Sequence, residues 1–133
     1  MFKRKQRTFD AVFEVMDATE AQSWAWRELA DKVGEEEASK RYPPIDVADT
    51  VAAMLPKAGN DVTRIVDALN AWQISRSERY ESEGNEDRAM HVGGMYMSIG
   101  LNGLGNLFGL VPPGTPSFDP RLAAVGRERG WRP

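Results

Sequence analysis

The sequence predicts a mainly α-helical protein, a small bundle of four to five helices. Apolar residues recur at helical spacing from Phe9 to Trp72, and capping residues, glycines and prolines divide this region into segments. A cysteine-free chain of 133 residues holds one domain with a modest core. We divide it into a basic N-terminal arm (1–8), a helical domain (9–111) and an extended C-terminal arm rich in proline and arginine (112–133), in which Pro120–Gly126 could form one short turn.

The first two predicted helices lie close together in sequence. Thr8 is the expected N-cap of the first, whose apolar stripe is Phe9, Val12, Phe13 and Met16. The second begins at Thr19, which has capping-box spacing with Gln22. Both segments could form one long helix with a weak point at Asp17–Thr19. Polar helical turns then continue to Pro43–Pro44, which end them.

The next two predicted helices form a helical hairpin. Asp46 is the expected N-cap of the third helix, and Pro56 is expected to end it. Asn60 or Asp61 caps a longer fourth helix that ends near Gly84. Its apolar positions are Val62, Ile65, Val66, Leu69 and Trp72.

A run from Ala89 to Phe118 contains no charged residue, although 28% of the chain is charged. We favour a buried helix over 89–111, and a hairpin with a type I′ turn at Asn102–Gly103 remains the alternative. Glycine at this density favours the close approach of another backbone. We therefore expect a close-packing surface, either within the fold or with a partner, at Gly93, Gly94, Ser98, Gly105 and Gly109.

Large side chains add to the predicted partner interface. Trp24 and Trp26 stand two positions apart, so on a helix they point about 200° from one another. One of them then meets a second layer of this protein or an interface, where tryptophan is enriched. The C-terminal arm carries three more candidates, Phe118, Leu122 and Trp131.

Charge is distributed unevenly along the chain. The net charge is −3, with +4 in the first seven residues and +3 in the last thirteen, so the remainder carries −10. The basic residues of the two arms are Lys3, Arg4, Lys5, Arg7, Arg121, Arg127, Arg129 and Arg132. These arms could lie on the acidic body of another copy, or contact nucleic acid.

No catalytic residue, metal ligand set or cofactor motif is predicted. His91 is the only histidine, and we expect it to contact Asp87 one turn away. Ser98 lacks the first glycine of the hydrolase elbow, because Tyr96 occupies that position. The glycines of Gly103–Gly109 do not form a dinucleotide fingerprint, because that motif needs a helix after its glycines and the sequence leaves no room for one here. The uncharged run is too rich in glycine and asparagine for an ordinary membrane span.

Taken together, these features favour a non-catalytic assembly or adaptor protein, a subunit of a homo-oligomer or larger complex such as a viral structural component. A cytoplasmic location is expected because no secretory signal is evident. Deleting 112–133 is expected to leave the helices folded and abolish assembly. The alternatives are a nucleic-acid-associated regulator that uses its basic termini and a small inhibitor that binds a host protein.

Overall fold

The computed structural model describes residues 2–131, with side chains from Arg7 onward. That part of the chain is mainly helical and contains no strand, which confirms the all-α prediction. In chain order the helices are α1 (Phe2–Val33), α2 (Glu35–Arg41), α3 (Val47–Ala58), α4 (Val62–Ser82), α5 (Glu86–Met95), a π helix (Tyr96–Gly103), α6 (Leu104–Leu107) and α7 (Pro120–Glu128).

The first 32 helical residues form one continuous helix, α1, about 48 Å long at 1.5 Å per residue. Thr8 is therefore not an N-cap, and its hydroxyl donates instead to the carbonyl of Ala58. The weak point expected at Asp17–Thr19 does not break the helix. The Thr19 hydroxyl donates back to the carbonyl of Val15, so it does not compete as a cap. Residues 2–8, which were predicted to belong to a separate arm, form the beginning of α1.

The hairpin of α3 and α4 forms with the predicted caps. Asp46 accepts from the amide of Asp49, and Asp61 accepts from the amide of Arg64. The prediction that Pro56 ends α3 is wrong, because the helix continues to Ala58. A proline in the last turn forgoes only one backbone hydrogen bond, and Gly59, with φ of 84°, ends the helix instead.

The two long helices, α1 and α4, lie side by side and run in the same direction. Contacts in increasing register show this: Thr8 with Ala58 just before α4, Asp17 with Trp72, and Glu20 with Tyr80. A turn at Gly84, with φ of 77°, then reverses the chain, and α5 returns along α4. The core formed by α1, α4 and α5 includes the fully buried side chains of Val12, Met16, Ile65, Leu69, Trp72 and Val92.

The uncharged segment is helical from Ala89 to Leu107, so the hairpin alternative is wrong. α5 passes without a break into the π helix and then into α6. Gly103 lies against α3, where an added Cβ would meet the Val51 side chain at 3.0 Å. Close packing of this segment against α3 uses Gly103, which was not among the predicted close-packing positions. The segment buries Met95, Ile99, Leu104 and Leu107.

The C-terminal segment is not the extended arm that its prolines predicted, because Pro120–Glu128 forms α7. Asp119 caps this helix and Pro120 occupies its first turn, where the missing amide costs nothing. Leu122 is buried, and Gly126 meets the backbone of α6: a Cβ there would overlap the carbonyl oxygen of Leu107. A short proline-rich linker thus returns the chain to the body.

Candidate interaction surfaces

A buried ion pair joins α1 to α5. Glu20, only 3% exposed, accepts two hydrogen bonds from the Arg88 guanidinium, at 3.0 and 2.7 Å, and a third from Tyr80 at 3.2 Å. Burial raises the pKa of the Tyr80 hydroxyl, and the Glu20 charge raises it further. The guanidinium also lies over the Tyr80 ring, 4.4 Å from its centroid. This cluster fixes α5 against the two long helices.

A second ion pair lies one turn earlier on α1. Asp17 accepts from the indole of Trp72 at 2.8 Å and from both Nε and Nη2 of Arg76, at 2.8 and 2.7 Å. Partial burial raises the pKa of Asp17, but these hydrogen bonds outweigh it and hold the pKa below the usual value. Neither cluster could be predicted from the sequence, because charged residues on separate helices do not reveal their partners.

His91 forms no hydrogen bond or ion pair with Asp87, the residue that it was predicted to contact. Its ring lies 5.4 Å from that of Trp24, and its Nε2 atom is buried without a hydrogen-bond partner among the described residues. Burial lowers the pKa of His91, as do the charges of Arg27 and Arg88, while Glu20 opposes them. The histidine is therefore neutral near pH 7.

A groove of about 570 Å³ runs beside this histidine, between α1, α3 and the α5–π-helix junction. Five apolar side chains contribute to its lining, those of Ile45, Val47, Met90, Met95 and Ile99. Polar groups also line it: Ser23, Arg27, Asp87, His91 and Ser98. We call this the α1–α5 groove. No hydrogen bond joins His91 to Ser98, so the two do not form a base–nucleophile pair in this structure.

The predicted small-residue surface is divided between this groove and the interior. Gly94 and Ser98 line the groove, and Gly93, next to Gly94, has open space where a Cβ would stand. Gly105 is buried, with Val111 at 3.3 Å from its Cβ position. Gly109 ends α6 with φ of 74°, a conformation that favours glycine.

The two tryptophans of α1 face different neighbours, as their spacing predicted. Trp24 lies against His91 of α5, and Trp26 donates to the hydroxyl of Ser39 in α2 at 3.0 Å. Both are half-buried. Trp26 also lines a smaller hollow with Pro43 and Pro44, which adjoins the α1–α5 groove.

An apolar face lies elsewhere on the molecule, where α4 meets the π helix and α6. Leu110 is 75% exposed there, Leu101 50% and Val66 38%. They surround a hollow of about 200 Å³ whose remaining lining also carries no charge: Leu69, Tyr96, Gly100, Leu104, Gly105 and Phe108. These nine residues constitute what we call the apolar face.

The C-terminal candidates make contacts within this chain. Leu122 is buried, Phe118 is half-buried, and Trp131 packs edge-on against Phe108 with centroids 5.6 Å apart. The side chain of Asn106 holds the linker before α7 by donating to the carbonyl of Ser117 and accepting from the amide of Asp119. Whether these residues also meet a partner stays a prediction.

The basic arms reach two places on the body. Arg121 forms a bidentate pair with Asp46, at 2.7 and 2.8 Å, so the acidic surface it meets belongs to its own chain. Arg129 donates to Asn60 at 2.8 Å, and Arg7 lines a hollow at the same α3–α4 turn. Arg127 is exposed. The side chains of Lys3, Arg4, Lys5 and Arg132 lie outside the described residues.

The described residues include no cluster of histidine and carboxylate side chains that could hold a metal ion. Nor is any helix in this part of the chain both long and apolar enough to cross a membrane. Comparison with known protein families, with curated proteins and with solved structures finds no match to this chain.

Proposed function

We propose that this protein is a non-catalytic assembly or adaptor subunit, which associates with a second copy of itself through the apolar face. The observation that carries the proposal is that Leu101, Leu110 and Val66 remain exposed around an uncharged hollow. Contiguous exposed apolar surface on a small protein is typical of interaction sites.

The partner is a second copy because the face is free of charge. A two-fold contact joins the same patch on both copies, so a patch with a net charge would repel itself and a neutral one does not. Burying one exposed leucine contributes roughly 1.5–3 kcal/mol when complete. Half-exposed Leu101, present on both sides of such a contact, therefore contributes about 1.5–3 kcal/mol per dimer, or tenfold to a hundredfold in affinity.

The test replaces Leu101 with a charged residue. Leu101→Glu removes apolar area and places two like charges across the contact, so association should weaken by at least about a hundredfold. The matched control is Val33→Glu at the end of α1, because Val33 is 51% exposed and lies outside the face. Solution mass is measured by size-exclusion chromatography with light scattering.

We expect a multimer for the unmodified protein and for Val33→Glu, and the 14.8 kDa monomer for Leu101→Glu. Far-ultraviolet circular dichroism confirms that both variants remain helical. A monomeric unmodified protein contradicts the proposal, and so does a Leu101→Glu variant with unchanged mass.

One observation favours a second function, nucleic-acid binding. The fold brings the two basic ends of the sequence to one place, because Arg7 and Arg129 both lie at the α3–α4 turn beside Lys57 and Arg64. Basic side chains grouped in this way suit a phosphate backbone.

Lys57→Glu tests this second function against Lys40→Glu. The two lysines are matched, with side chains 64% and 66% exposed, and each pairs with one glutamate. Binding of a fluorescent single-stranded oligonucleotide should weaken, and its salt dependence should become shallower, only for Lys57→Glu. Equal effects of the two substitutions would exclude a local binding surface at the α3–α4 turn.

A further inference from the structure

The rim of the α1–α5 groove carries polar groups that the rest of the fold does not satisfy. Arg27 lies 5.3 Å from the centroid of the Trp24 ring and forms no ion pair within the described part of the chain. By contrast, Arg76 and Arg88 are each held by a carboxylate at 2.7 Å. The nearby Nε2 atom of His91 is likewise without a hydrogen-bond partner there.

Stacking on Trp24 orients these groups before any ligand arrives. The Trp24 indole contacts both the His91 ring and the Arg27 guanidinium. The contact with the indole restricts the Arg27 side chain, which is otherwise exposed. A preorganised guanidinium binds a carboxylate with less loss of conformational entropy than a free one.

The body of the groove suits a small apolar ligand. Its volume of about 570 Å³ lies within the range of small-molecule sites, and side chains such as Ile45 and Ile99 line it. Gly94 keeps it open, because nothing stands within 4 Å of the position that a Cβ would occupy. The adjoining π helix is a rare conformation that recurs at functional sites.

We propose that the α1–α5 groove binds a small organic carboxylate, with its carboxylate on Arg27 and its hydrocarbon body on the apolar lining. A monoanion matches the groove better than a phosphate, because Arg27 is the only cation among the described residues that line it and Asp87 already contributes one negative charge. The planar guanidinium accommodates the two carboxylate oxygens together. The assignment is independent of self-association through the apolar face.

The test titrates the full-length protein with octanoate and, as a neutral probe of the same chain length, with 1-octanol. Two-dimensional amide NMR spectra locate binding by shifts at Ser23, Gly94 and Ser98. Arg27→Gln should weaken octanoate binding about tenfold and leave octanol binding unchanged, because only the charged contact is lost.

A second pair of variants tests the location. Gly94→Leu should abolish binding of both probes by filling the groove, whereas Gly93→Leu should not, since Gly93 is equally unobstructed but does not line the groove. Leucine favours helix over glycine, so both variants are expected to fold.

Three results would overturn the assignment. The first is the absence of amide shifts with octanoate up to about 10 mM, a concentration beyond the millimolar range of weak ligands. The second is a set of shifts confined to the apolar face. The third is an equal loss of octanoate and octanol affinity in Arg27→Gln. Leu101→Glu should retain octanoate binding, so failure of the self-association proposal remains distinguishable from failure of this one.

Discussion

Replacing Glu20 by glutamine tests whether the buried ion pair fixes α5 to the two long helices. The substitution keeps the shape of the side chain but removes its charge. Arg88, whose side chain is only 24% exposed, then keeps its positive charge without a carboxylate to balance it. An amide oxygen can accept one of its hydrogen bonds, so the loss is mainly electrostatic.

The expected cost follows from the burial of the pair. Removing one member of a buried ion pair typically costs 3–5 kcal/mol, and the retained hydrogen bond places this variant near the lower limit, at about 3 kcal/mol. That is a large fraction of the roughly 5–15 kcal/mol by which small domains are stable. The control is Glu14→Gln: Glu14 is 69% exposed and pairs with Lys57 at 3.7 Å, so its loss should cost less than about 1 kcal/mol.

Urea unfolding monitored by tryptophan fluorescence and circular dichroism measures the difference. The midpoint should fall while the dependence on denaturant stays constant, because the same surface is exposed on unfolding. A free energy of unfolding as high for Glu20→Gln as for Glu14→Gln would refute the reasoning. So would a Glu20→Leu, Arg88→Met double variant less stable than the single one, because an apolar pair of similar size needs no charge balance.

Three further predictions concern α6, α7 and the histidine. Gly126→Ala should destabilise the protein by about 3 kcal/mol or more, because the added Cβ would overlap the carbonyl of Leu107. The control, Gly93→Ala, places its Cβ in open space and should be neutral or stabilising. Urea unfolding measures both. Leu122→Ala should cost about 2–5 kcal/mol by the same assay, as expected for a buried leucine. Burial lowers the pKa of His91 below 6.5, so the unfolded chain binds its proton first, and stability should fall as the pH drops through 6.5. A His91→Gln variant should lose less stability over the same drop in pH, and an equal loss would assign the pH dependence to other groups.

Helix limits could be predicted wherever a local contact determines them. Asp46 and Asp61 cap α3 and α4 through amides three residues away, and the sequence displays that spacing directly. Thr8 was misassigned because its partner is the carbonyl of Ala58, 50 residues away. The same limit applies to α7: its cap is local, but the surface that stabilises it is provided by α6.

The candidate surfaces were only partly visible in the sequence. Glycine density predicted a close-packing surface, yet it could not separate Gly103, which lies against α3, from Gly94, which lines a groove. Spacing showed that Trp24 and Trp26 diverge, but not that Trp24 would lie against Arg27 and His91. Such placements depend on how helices distant in sequence pack together.

The position of α7 changes how assembly should be tested. The sequence predicted that deleting 112–133 would remove only an extended arm. In the structure, the deletion would also remove buried Leu122 and the Arg121–Asp46 ion pair. A truncated protein that failed to assemble could simply have lost part of its core, since removing a single buried leucine already costs about 2–5 kcal/mol. Point substitution at exposed Leu101 leaves that packing intact, so a change of mass in that variant reports on the contact between copies rather than on folding.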